Sequence, residues 1–168
     1  ERKDYSQVVR EQVRHVDAMM REVLAFARGE RKLFLQKVFV ANFFDKAAEN
    51  LQKELQENKI ELVLDLQYRG DVRMDIDKMH RVLFNLARNA MEAMPDGGTF
   101  TIQSNQENDT VQFRFSDTGQ GIPADIQDRL FETFVTSGKK DGTGLGLAIV
   151  KKVIEQHQGT VNFETTQD

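Results

Sequence analysis

The hydrophobic period changes repeatedly between residues 37 and 117, and this limits the folds open to the chain. "KVFVA" (37–41) reads as a strand and "NFFDKAAENLQKELQENK" (42–59) as a helix. "IELVLDL" (60–66) and "DVRMDI" (71–76) alternate like half-buried strands, with Arg69-Gly70 at the turn between them. Asp77 can N-cap a second helix that runs through Met94, where Pro95-Asp96-Gly97-Gly98 stops it. "TFTIQSN" (99–105) and "TVQFRFSD" (110–117) look like antiparallel strands joined by a polar turn. A glycine loop follows, then a short helix near 123–131, the segment 132–143, a helix 144–157 and a strand "TVNFET" (160–165). Helices and strands mix without strict βαβ alternation. The expected fold class is α+β, with a helix layer on a mixed sheet.

Ahead of this lies "DYSQVVREQVRHVDAMMREVLAFAR" (4–28), which has no Gly or Pro. Val9, Val13, Val16, Met20, Val23 and Ala27 recur at steps of three and four and form one apolar stripe on a long helix. Gly29 stands where a C-cap would be. Such a stripe either packs on its own domain or serves as a dimerisation or bundle helix.

Composition removes several function classes. The 168 residues carry a net charge of −4, which argues against a nucleic-acid surface. There is no cysteine, so disulfides and thiolate metal sites are excluded. His15, His80 and His157 are isolated from one another, which disfavours zinc, and each reads as an ordinary helical histidine. No apolar run approaches the ~20 residues of a membrane span. No signal peptide is visible, so a soluble, cytoplasmic chain without membrane contact of its own is expected, with a membrane anchor elsewhere in a longer parent left open.

Three short stretches carry chemistry. On "DKMHRVLFNLARNAMEAM", Asn85, Asn89 and Glu92 share a stripe at i, i+4 and i+7. Asparagine disfavours helix interiors, because its amide competes for backbone hydrogen bonds. The pair is either solvated or a set of neutral oxygen donors aimed at a cleft. A hard cation such as Mg²⁺ would accept such an oxygen beside phosphate oxygens. In "SDTGQGIP" (116–123), Asp117 ends a strand before Gly119 and Gly121. It is either a plain turn or a carboxylate able to accept from an exocyclic amine, with glycines that let a flat ligand approach. In "DGTGLGLAIVKK" (141–152), Gly142, Gly144 and Gly146 precede a helix whose first amides can hold an anion. The spacing fits neither a P-loop nor a dinucleotide fingerprint. The preceding "FVTSGKKDG" is polar and lid-like, and Lys139 and Lys140 could reach phosphates or simply be solvated.

The order of these stretches resembles one family. "NLARNAMEA" resembles the N box, "DTGQGI" the G1 box, "RLFETFVTS" the F box and "GTGLGLAIV" the G2 box of the histidine-kinase ATP-binding domain, a member of the GHKL ATPase superfamily. The resemblance covers about residues 31–166. It implies a two-layer α/β sandwich, a mixed sheet with three helices on one face, and ATP (with ADP as product) beneath a mobile lid. By resemblance, Asn89 would coordinate Mg²⁺ and Asn85 would contact the phosphate–metal region. Asp117 would read the adenine amine, with Gly119, Gly121 and Ile122 shaping that pocket. Lys139, Lys140, Gly142, Thr143, Gly144, Leu145, Gly146 and Leu147 would surround the phosphates. Phe131 and Phe134 would anchor the lid, with Gly138 and Gly142 as its hinges. Members that hydrolyse ATP with water carry glutamate where this chain has Asn85. An asparagine cannot take a proton from water at neutral pH, so transfer to a positioned nucleophile is expected.

"REVLAFARGE" resembles the end of the second helix of the dimerisation and phosphotransfer hairpin. The expected organisation is that helix over 1–29 and the ATP-binding domain over 30–168. No histidine has the family's phosphoacceptor context, so the chain is expected to lack the acceptor and not to autophosphorylate alone. The family's last edge strand is expected to be missing after "GTVNFETT". The implied partners are a histidine-bearing hairpin helix, a response-regulator receiver domain and a second copy through the N-terminal helix. A nucleotide-gated regulatory module of the same fold is the alternative reading.

Overall fold

The computed structural model describes Met20 and residues 32–136 and 143–166. The expected helix over 4–28 therefore lies outside the described residues apart from Met20, as do Gly138, Lys139, Lys140 and Gly142. Among the described residues the order is β1 (Gln36–Phe39), α1 (Val40–Glu57), β2 (Ile60–Leu66), β3 (Asp71–Met74), α2 (Ile76–Ala93), β4 (Gly98–Glu107), β5 (Thr110–Asp117), α3 (Ala124–Gln127) and α4 (Gly146–Gln156). No described helix is long and apolar enough to cross a membrane.

The elements form two layers around one core. β4 alternates, so that Phe100, Ile102 and Ser104 point into the core from one face. Phe113 and Phe115 of β5 join them, while the alternating Gln112 and Arg114 stay exposed. Phe43, Phe44, Ala47, Leu51 and Leu55 of α1 cover that face together with Val82, Leu83, Ala87 and Ala90 of α2. Ile149, Val150 and Val153 of α4 complete the core. Each large side chain buried here contributes about 1.5–3 kcal/mol. The expected mixed sheet with a helix layer of α1, α2 and α4 is what the chain forms.

Strand partners differ from the sequence order. β2 and β3 do not form a hairpin across Arg69-Gly70. β2 pairs in parallel with β4, β4 pairs antiparallel with β5, and β3 pairs antiparallel with β1 in a separate ribbon. The connection explains it. Leaving β2, the chain stays on β4, where the Tyr68 N–H donates to the Ser104 carbonyl at 2.9 Å and the Ser104 hydroxyl donates to the Tyr68 carbonyl at 2.7 Å. Gly70 then offers its carbonyl to the Val40 N–H at 2.9 Å and carries the chain to β1.

Three further expectations are corrected. Asp75, not Asp77, caps α2: its carboxylate accepts from the Lys78 N–H at 3.1 Å, and Asp77 lies within the first turn. β3 ends at Met74, so only Asp75 remains to change backbone direction before Ile76 enters the helix and packs on the core. Residues 160–165 form no strand. Side chains hold this segment instead: the Thr165 hydroxyl accepts from the Ile122 N–H at 2.9 Å, and Glu164 pairs with Arg114 at 3.5 Å. The short helix near 123–131 is a single turn, α3, followed by irregular turns.

Candidate functional site

One face of α2 organises the site. Asn85, Asn89 and Ala93 recur every four residues and so lie one above another. Eight residues at 1.5 Å each separate the two ends by about 12 Å. The glycine turn before α4 sits at one end and the turn after β5 at the other.

At the Asn85 end, a Cβ added to Gly146 would meet the Asn85 Oδ1 at 3.4 Å, so the carboxamide lies against the first residue of α4. The two preceding residues are held from behind. Gly144 has φ +65°, and its carbonyl accepts from the Phe134 N–H at 2.8 Å. The Thr143 hydroxyl accepts from the Leu145 N–H at 3.3 Å. Leu145 is buried in the core and Leu147 packs on it, so these side chains anchor the turn. The start of α4 has no side-chain cap and no acidic residue in its first turn. Its open N–H groups and dipole therefore suit an anion. The start of α2 differs, because Asp75 already occupies it.

At the Ala93 end, Gly119 packs on the helix so tightly that a Cβ there would stand 2.7 Å from the Ala93 Cβ and 2.8 Å from its carbonyl oxygen. The Gln120 N–H donates to the same carbonyl at 3.4 Å. Asp117 is exposed, and its Oδ1 accepts from the Gly119 N–H at 2.9 Å. That bond orients the carboxylate and leaves Oδ2 as an acceptor for a ligand. Sequence reasoning missed Thr118, whose hydroxyl accepts from the Thr99 N–H at 3.0 Å and ties the turn to β4. Gly121, at φ +73°, faces the C-terminal segment, where a Cβ would meet the Thr166 carbonyl at 2.6 Å. The Ile122 carbonyl accepts from the Gln127 side chain at 2.8 Å.

Between the ends, Asn89 is half-buried. Glu92 is turned to an ion pair with Arg88 at 3.1 Å. No group of three His, Cys, Asp or Glu among the described residues could hold a metal ion. A hard cation would here take neutral amide oxygen from α2, with the remaining ligands brought by a phosphate group and water, and that donor chemistry fits Mg²⁺.

The two phenylalanines part company. Phe131 packs edge-to-face on Phe163 with ring centroids 6.1 Å apart. Phe134 is 69% exposed, and most of the segment expected to lie over it falls outside the described residues. Its backbone adopts φ +68°, and its N–H donates to the Gly144 carbonyl at 2.8 Å. His80 lies against the Phe43 ring, 4.7 Å between centroids, and its Nδ1 is buried without a hydrogen bond among the described residues.

An uncapped helix start, a strand-end carboxylate and an asparagine face between them line one side of a two-layer α/β domain, an arrangement that suits an anionic ligand. Residues 74–168 match the family of histidine kinase-, DNA gyrase B-, and HSP90-like ATPases, and the chain belongs to that family. It is similar to sporulation kinase A of Bacillus subtilis, 29% identical over 164 residues that cover 96% of this chain and 27% of the relative. Full-length ShkA, solved in complex with AMPPNP, superposes with a TM-score of 0.81 at 28% identity, over 98% of this chain and 36% of that one. Histidine kinase ThkA, solved with the response regulator TrrA, shares the fold at TM-score 0.77 and 22% identity, over 94% of this chain and 45% of that one. The chain thus spans 27% of the length of the sporulation kinase it matches.

Proposed function

We propose that this domain binds Mg-ATP along the Asn85–Asn89–Ala93 face of α2 and donates the γ-phosphoryl group to a histidine on a separate hairpin helix. Adenine would lie at Asp117, with Gly119, Gly121 and Ile122 about it. The phosphates would lie at the start of α4, with Thr143, Gly144, Leu145, Gly146 and Leu147 supplying the turn and Lys139, Lys140 and Gly142 the lid. Mg²⁺, held by Asn89 with the phosphate oxygens, would neutralise charge on the group in transfer.

The observation that carries this reading is the contact between the Asn85 carboxamide and the first residue of α4. It sets a neutral amide, not a carboxylate, beside the turn that would hold the phosphates. A carboxamide does not deprotonate water, so catalysis rests on alignment and charge neutralisation toward a nucleophile that needs no activation there. The imidazole nitrogen would attack the γ-phosphorus while the bond to the bridging oxygen breaks and ADP leaves. Residues 1–29 would contribute the end of the hairpin's second helix and a contact to a second copy. A response-regulator receiver domain would take the phosphoryl group onward.

The test supplies Mg-ATP and a hairpin bearing the acceptor histidine. An acid-labile phosphoprotein is expected, and calorimetric ATP binding should be largely lost in Asp117→Asn. Binding without transfer to any hairpin would leave a nucleotide-gated module acting through partner contacts.

A further inference from the structure

His157 follows α4 directly, and both of its ring nitrogens are engaged. The Asp75 N–H donates to Nε2 at 3.0 Å, across 82 residues of sequence. Nδ1 lies 2.7 Å from the Val153 carbonyl. Nε2 can accept only through its lone pair, so the proton sits on Nδ1 and is donated to Val153. One nitrogen therefore fixes the ring on its own helix, and the other grips the residue that caps α2. Beside this bond, Lys78 Nζ donates to Gln156 Oε1 at 2.7 Å.

These contacts clasp the end of α4 to the start of α2. The helices run antiparallel, and the opposite end of α4 is where Gly146 meets Asn85. α4 has eleven residues and behaves as a short rod over that distance. Its core side chains Ile149, Val150 and Val153 press it against the core, and the directional hydrogen bond at 3.0 Å fixes its axial position at the His157 end. Register along the rod is thus set at its His157 end and read out at its Gly146 end.

We propose that His157 is a positioning residue for the nucleotide site: through Asp75 it holds α4 in the register that places the phosphate-facing turn at 144–146 beside Asn85. This rests on the ATP-site reading above. His157 touches no substrate. Its effect falls on the phosphate end of the site and spares the Asp117 end, which is built from β5 and the last turn of α2.

The 168-residue chain, His157→Leu and His157→Gln are titrated with Mg-ATP and with adenosine. Glutamine keeps an acceptor oxygen able to reach the Asp75 N–H, and leucine keeps only bulk. Losing one such bond should weaken Mg-ATP binding by His157→Leu about fivefold to tenfold. Adenosine binding should stay within about twofold, and His157→Gln should recover most of the Mg-ATP affinity. Equal losses for both ligands, no loss, or a glutamine variant as weak as leucine would overturn the proposal. If His157→Leu does not fold, Gln156→Leu replaces it, with the same split between ligands expected and its absence counting against the clasp. Ligand-free NMR separates this from the ATP reading. The side-chain amide of Asn85 and the backbone amide of Gly146 should shift in the leucine variant and not in glutamine, whether or not the native chain binds ATP. Unmoved amides would reject the positioning role; a native chain that fails to bind Mg-ATP would reject the ATP site.

Discussion

The Asn85 Oδ1 lies 3.4 Å from where a Cβ on Gly146 would stand, so two segments 61 positions apart share one contact at the start of α4. This proximity separates stability from binding. Gly146→Ala replaces glycine with a better helix former and should hold or raise stability by up to about 0.5–1 kcal/mol. The added methyl fills the space beside the carboxamide, and Mg-ATP affinity should fall about fivefold. Thermal melts and calorimetry on the same preparation check both, and unchanged affinity would place the phosphates elsewhere.

Gly144→Ala should damage fold and site together. The residue has φ +65°, and its Cβ would stand 2.5 Å from the Phe134 carbonyl carbon, a backbone atom that cannot swing aside. Strain in this backbone region costs about 1–3 kcal/mol. Urea unfolding should show that loss, with Mg-ATP affinity reduced more than about tenfold as the turn shifts. A native-like alanine variant would mean that the turn is not held as described.

Asn89→Ala should leave the fold intact, since alanine suits the middle of α2 better by a few tenths of a kcal/mol, roughly. The effect should appear only with the metal. ATP binding in excess chelator should match the native chain, and the gain on adding Mg²⁺ should largely disappear. An equal loss with and without Mg²⁺ would assign Asn89 to the nucleotide rather than to the ion.

Asp75 predicts an acid dependence. Burial pushes its carboxyl up. The N–H groups of Phe34 and Lys78, with the charge of Lys78, outweigh burial and leave it below its ordinary 3.8. A carboxyl lowered on folding stabilises the native state fully above its unfolded value, and that stability is lost as pH falls through the folded value. Native stability should therefore decline below the ordinary carboxylate range, and less so in Asp75→Asn. At neutral pH Asp75→Ala should cost about 1–2 kcal/mol through the lost helix cap. Urea titrations across pH would show parallel curves for the native chain and Asp75→Asn if the carboxylate were immaterial.

The sequence by itself determined element type wherever a period persisted. The α1 and α2 runs, the stop at Pro95-Asp96-Gly97-Gly98 and the β4–β5 hairpin all follow from local spacing and turn chemistry. The order of the asparagine pair, the Asp117 turn and the glycines before α4 was also legible, because each is a short contiguous pattern. Tertiary structure decided what those patterns could not hold. β2 chose β4 over β3 because Tyr68 and Ser104 bond across 36 residues. Residues 160–165 alternate in sequence but form no backbone ladder, and the Phe134 N–H bonds the Gly144 carbonyl across the turn before α4. His157 read as an ordinary histidine at a helix end, yet its proton is placed by a backbone N–H 82 residues away. Periodicity is a property of neighbours along the chain. Strand partners, helix register and tautomers are set by groups that meet only after the chain has folded.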